Sequence, residues 1–278
     1  MISDERLLEL NIQGFIPGPG ETEKAFLQRV QECLRFSSQA DETAGQYPAA
    51  LQKAHALFGM TPVWVPIQFA NRGLAPWHGA AATFLHEEGL PSLAWVQLRQ
   101  RFSRQERLHG YHRDDLLAHE LAHVGRMAFQ EPRYEELLAC QANPVRWRSI
   151  LGALFQTSFE SLLFACILLL IIALDAASLS LGFFALYEHL LWLKLLPVVL
   201  IFLGLTRLYR RFSRLSRCRR RLTRILGKKA SALLYRLSDV EIDTFASLNP
   251  QAIWVYAQAR ISSSLRWRLL GLAYFTVT

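Results

Sequence analysis

Asp114-Asp115-Leu116-Leu117-Ala118-His119-Glu120-Leu121-Ala122-His123-Val124-Gly125-Arg126 is the stretch on which the reading of this chain turns. The two leading acids suit the positive end of a helix dipole. The helical pattern starts at Arg113 or Asp114, runs through Phe129 and stops before Glu131-Pro132. His119 and His123 are four residues apart, so on a helix both imidazoles project from one face and can bind one metal ion. Glu120, beside the first of them, is placed to take a proton from a metal-bound water. A catalytic zinc uses three protein ligands and one open position. A second helix starting near Tyr134 carries Glu135 and Glu136, acids that can supply the third.

Upstream of this helix the texture is mixed. Pro17-Gly-Pro-Gly20 breaks the chain before a helix over 22–36, in which Phe26, Val30, Cys33 and Leu34 recur at helical spacing. Another helix is expected around Ala49–Phe58. Two prolines keep Thr61–Phe69 extended. Gly79–Leu85, a turn over His86–Gly89 and Ser92–Arg99 read as two strands and their connection.

With these residues in view, His119-Glu120-Leu-Ala-His123 followed by a helix-borne glutamate resembles the gluzincin class of zinc metallopeptidases. The likeness covers about residues 75–145. It implies an α+β fold: a mainly helical, zincin-like catalytic domain with a small β-sheet. It also implies Zn2+ held by His, His and Glu, a peptide or protein substrate, and an edge strand, Ser92–Arg99, that holds an extended substrate by main-chain pairing. The chain departs from the class in two ways. Ala139 matches the small residue three positions after the ligand glutamate, but Cys140 stands where the class often has an acid. Glu136 follows His123 by only 13 residues. Arg126 shares the helix face of His123 and could pair with Glu135 or a substrate carboxylate. His109, Tyr111 and His112 precede the helix and could polarise a peptide carbonyl. Each also has a plain structural alternative, as an ion pair or a loop residue.

Beyond residue 150 the chain changes character. Residues 155–206 are strongly apolar and read as a transmembrane hairpin, with spans at about 155–174 and 187–206 and a turn from Asp175 to Gly182. Tyr187 and Trp192 suit an interfacial belt, and Lys194 can snorkel. The alternative is a buried helical pair in a soluble protein. Arg146 and Arg148 precede the hairpin, and residues 207–229 hold 11 Lys/Arg and no acid. Both termini and the catalytic domain are therefore expected on the cytoplasmic side of an inner or plasma membrane.

The net charge of +8 is concentrated in that block, since residues 1–150 hold 15 Lys/Arg against 17 Asp/Glu. Leu208, Phe212, Leu215, Leu222 and Leu226 could share one side of a basic helix lying on the bilayer. Arg207, Arg210, Arg211, Arg214, Arg217, Arg219, Arg220 and Arg221 would then meet anionic lipid. Adjacency to a span argues against nucleic acid. Residues 230–278 read as an amphipathic helical segment, with a capping box at Ser238–Glu241. Four scattered cysteines exclude a disulfide scaffold, and the acidic Met1–Leu10 excludes a signal peptide. The leading expectation is a membrane-anchored zinc metallopeptidase with His119, His123 and Glu136 (or Glu135) as ligands and Glu120 as the base. The competing one is a non-catalytic membrane scaffold, or a metal-bound pseudo-peptidase, that binds anionic lipid through its basic segment.

Overall fold

Thr22 caps the first long helix by accepting the Ala25 N–H, and Gly59 closes the next in a left-handed conformation (φ 65°). The protein is described here from a computed structural model, covering residues 1–278 except 76–77, 86–91, 109, 146–149, 156–157, 184–186, 188–190 and 276–278. The expected turn at His86–Gly89, and His109, Arg146 and Arg148, lie outside the described residues. In chain order the elements are α1 (Asp4–Ile12), α2 (Glu23–Ser37), α3 (Pro48–Phe58), β1 (Ile67–Phe69), β2 (Ala80–Leu85), β3 (Leu93–Leu98), β4 (Arg107–Leu108), β5 (Tyr111–His112), α4 (Arg113–Gly125) and α5 (Pro132–Ala139). There follow α6 (Ser158–Ser180), α7 (Leu195–Leu226), α8 (Ala230–Arg236), α9 (Asp239–Phe245), α10 (Pro250–Gln258) and α11 (Leu265–Tyr274). The fold is mostly helical with a small sheet.

That sheet has the order β1-β3-β2, with β1 parallel and β2 antiparallel to β3. The strand expected at the edge, Ser92–Arg99, is thus the central one, because the end of the extended Thr61–Phe69 segment pairs with it. β2 is the edge strand that faces α4. Helix α4 lies between two clusters of buried side chains. Leu117, Leu121 and Val124 pack with Phe15, Phe102 and Val96, while Ala122 packs with Phe58, Tyr134 and Tyr235. His119 and His123 take the remaining face.

Three expectations are corrected. First, α4 ends at Gly125 and not at Phe129. A continuing helix would pair the Arg126 N–H with the Ala122 carbonyl. The Tyr235 hydroxyl donates to that carbonyl (2.5 Å), and the Arg126 N–H turns to His123 (3.0 Å). Second, the turn expected from Asp175 begins only after Ser180. Asp175 stays helical because Lys194 meets its carboxylate at 2.8 Å across the hairpin. Third, α7 runs without a break from the apolar segment into the basic block. Its Leu208, Leu215, Cys218 and Leu222 are buried in the protein core, so the stripe assigned to lipid is used in packing; Phe212 stays outside.

Among the described residues, two helices, Phe159–Ser180 and a stretch within Leu191–Arg236, are long and apolar enough to cross a membrane. Their outward faces expose Phe159, Leu169, Ile172, Val198 and Phe202. The C-terminal helices fold back on the rest of the chain. The buried Arg236 guanidinium bonds the Asn11 side chain (2.6 Å) and the carbonyls of Phe58 (2.6 Å) and Gly59 (3.1 Å). Arg268 joins α11 to Asp4 and to the Ile2 carbonyl.

Candidate metal centre

Helices α4 and α5 bring three side chains to one point. His119 Nε2 lies 3.3 Å from His123 Nε2. Glu136 Oε1 lies 3.5 Å from His119 Nε2, and its Oε2 lies 3.3 Å from His123 Nε2. These three residues form a group able to hold a metal ion. A tetrahedral ion with bonds of about 2.1 Å would separate its ligands by about 3.4 Å, so the group fits such an ion with little movement.

Glu135, the alternative ligand, does something else. Its Oε1 lies 2.8 Å from His123 Nδ1, on the far side of the ring. A proton on Nδ1 leaves the Nε2 lone pair facing His119 and Glu136, the arrangement in which a carboxylate orients a metal-binding imidazole. Burial by itself would lower the pKa of His123. Hydrogen bonds from Glu135 and Glu136 outweigh it and hold the imidazole well above its usual range. Burial would likewise raise Glu136, but the bond to His123 and the charge of His119 hold its carboxyl down at about 2. The Cys140 thiol donates to Glu136 Oε1 at 3.2 Å, so the residue that departs from the class pattern bonds the Glu136 carboxylate directly.

Glu120 is buried beside this group, and its Oε2 accepts the Ala82 N–H of β2 at 2.7 Å. That bond ties Glu120 to the edge strand, in the cavity that His119, His123 and Glu136 also line. The cavity wall continues through Ala80, Ala82 and Phe84 of β2 on one side and Gly152, Phe155 and Ser161 on the other. Tyr111 lines an adjoining cavity with His119, Glu120 and Glu136.

His112 and Arg126 are not among the described lining residues. His112 caps α4, its Nδ1 accepting the Asp114 N–H at 3.3 Å. Arg126 is fully buried behind α4. Its Nη1 donates to the carbonyls of Tyr235 (2.6 Å) and Leu237 (3.0 Å), and its guanidinium stacks on Phe129. It is therefore a strut between α4 and the C-terminal helices and not a substrate contact.

His78 lines both cavities, a place that nothing in its local sequence signals. Arg99 fixes the chain there by bonding the carbonyls of Ala75 (2.6 Å) and His78 (3.0 Å).

The arginines of α7 divide. Arg207 pairs with Glu160, Arg214 with Asp243, Arg219 with Gln141 and Ser231, and Arg221 with the carbonyls of Phe245 and Leu248. Arg211 is half-buried. Arg210, Arg217 and Arg220 lie on an outward face with Tyr209 and Phe212. Comparison with protein-family models, curated proteins and solved structures finds no match to this chain.

Proposed function

We propose that the protein is a membrane-anchored zinc metallopeptidase of gluzincin type. The observation that carries this reading is the 3.3–3.5 Å triangle of His119, His123 and Glu136, with Glu135 locking the tautomer of one imidazole. Two imidazoles that give up their Nε2 protons to the ion, and a carboxylate, suit zinc in chemistry as well as spacing. When bound there, zinc supplies Lewis-acid polarisation of a water and of the substrate carbonyl.

The protein's own groups do the rest. Glu120 accepts a proton from the attacking water and returns it to the leaving amine. Its bond to Ala82 fixes where that carboxylate sits. β2 is an edge strand beside the triad, the kind of site along which an extended peptide can pair. Glu136 and the two histidines neutralise and seat the cation, and Glu135 and Cys140 hold their orientation.

The anchor is the α6–α7 hairpin, whose apolar faces turn outward as they would toward lipid. The basic end of α7 supports a catalytic part on the cytoplasmic side. Anionic headgroups would be met by the outward arginines nearest the hairpin. Arg220 lies 13 residues beyond Arg207, about 20 Å along the helix, and so projects away from the bilayer.

The test is metal content and hydrolysis on the purified full chain. About one zinc per chain is expected, lost in His119→Ala. Glu120→Gln should keep the metal and lose cleavage of a peptide library. A folded wild type that takes up no zinc would overturn the assignment.

A further inference from the structure

Two cavities meet at Phe155. One is the cavity of the His119–His123–Glu136 group, whose wall reaches Ser161 in the first turn of α6. The other is a crevice of about 250 Å³ between α6 and α7, lined by Leu163, Phe164, Ile167, Leu200, Leu203 and Gly204 as well as Phe155. An ion pair forms part of the crevice wall. Arg207 holds Glu160 with both terminal nitrogens (3.0 and 2.9 Å) and also reaches the Leu154 carbonyl (3.3 Å). Past that pair every described residue lining the crevice is apolar. Gly204 lines it from α7 and packs closely on Leu154, where a Cβ would come within 3.2 Å of Cδ1.

An occupant of both spaces must be polar and hydrogen-bonding at one end and apolar at the other. A soluble peptide has no reason to leave water for a slot between two lipid-facing helices. A lipid tail would fill the slot but presents no amide to the metal group. A polypeptide leaving the bilayer has both parts in one chain. Resting on the metallopeptidase reading, we propose that the substrate is a membrane-inserted polypeptide. An apolar side chain at the end of its span enters the crevice, and the bond to be cut lies past Phe155 at the metal group. From Ser161 to Ile167 is six residues, about 9 Å of helix. An extended chain covers that in about three residues, so a few residues at the end of the span reach from the crevice to the wall of the metal cavity, and the cut falls on the cytoplasmic side.

The experiment uses the full-length Glu120→Gln chain in phosphatidylcholine–phosphatidylglycerol vesicles, with photoreactive benzoylphenylalanine in place of Leu163 or, on the outward face, Phe202. The probes are two synthetic peptides with the same cytoplasmic sequence, one carrying an apolar span. Labelling of the span-bearing peptide from position 163 is expected to exceed that from position 202, and that of the span-free peptide, at least tenfold. Gly204→Leu, which fills the crevice, should reduce it. Equal labelling from both positions, or labelling of lipid alone, would overturn the proposal. Wild-type chain with zinc is then given the same peptide. Labelling without hydrolysis would count against the hydrolase reading and leave the docking intact, whereas hydrolysis of the span-free peptide alone would do the reverse.

Discussion

Glu135 and Glu136 are adjacent in the chain yet meet His123 on opposite sides of its ring, one at Nδ1 and one at Nε2. Chain position alone leaves them interchangeable as ligands; geometry divides the work between them. Glu136→Gln removes a charged ligand, so zinc should be lost outright on dialysis. Glu135→Gln removes only the group that orients His123, so zinc affinity should fall about 10–100-fold, as read by competition with a chromophoric chelator. If both variants bound zinc as the wild type does, the division of roles would fail. Protons compete for the same site. Because the carboxylates hold the His123 proton well above its usual pKa, zinc affinity should weaken steadily as pH falls.

Helix α4 owes its length to a neighbour. The Tyr235 hydroxyl on the Ala122 carbonyl ends the helix one turn early, and Gly125 makes room for that approach. A Cβ at residue 125 would collide with the Tyr235 hydroxyl and lie 2.7 Å from the Met60 sulfur. Gly125→Ala should therefore destabilise the protein by about 1–3 kcal/mol, seen as a lower Tm in detergent. An unchanged Tm would mean that the contact relaxes freely. The start of α4 was legible from Asp114 and Asp115, whereas its end was not, because Tyr235 is 110 residues away in the chain. The basic segment follows the same logic. Its apolar positions recur at helical spacing, but whether lipid or protein covers them is decided by what packs beside them, and here it is α5 and α8–α10.

In the molecule as a whole, the C-terminal helices help to hold together the part that carries the His119–His123–Glu136 group. Asp239, at the start of α9, accepts the Arg133 N–H of α5 at 3.0 Å, and its own N–H donates to Glu131 at 2.7 Å. Burial, offset in part by Arg126, raises its pKa to about 6. A carboxyl raised in the folded state binds its proton more tightly there than in the unfolded chain. Its contribution to stability is thus complete below about pH 4 and is lost as pH rises through about 6. Asp239→Asn should be more stable than the wild type by about 2 kcal/mol at pH 7, after allowance for solvent screening, and should match it near pH 4. A pH series of denaturation midpoints checks both. A variant that is less stable at every pH would mean that the charge is favourable where it sits.

Local chemistry determined the elements and the ligand types. The i, i+4 histidines, the capping residues, the alternating strand residues and the long apolar runs each act over a few neighbours, so they can be read from the chain. The assignments that join distant segments came only from packing: β3 as the central strand, Arg126 turned away from the cavity, Glu135 behind His123, and Phe155 between two cavities. These depend on which carbonyls, carboxylates and apolar faces come together when elements far apart in sequence are buried against one another, and no short window of residues contains that information.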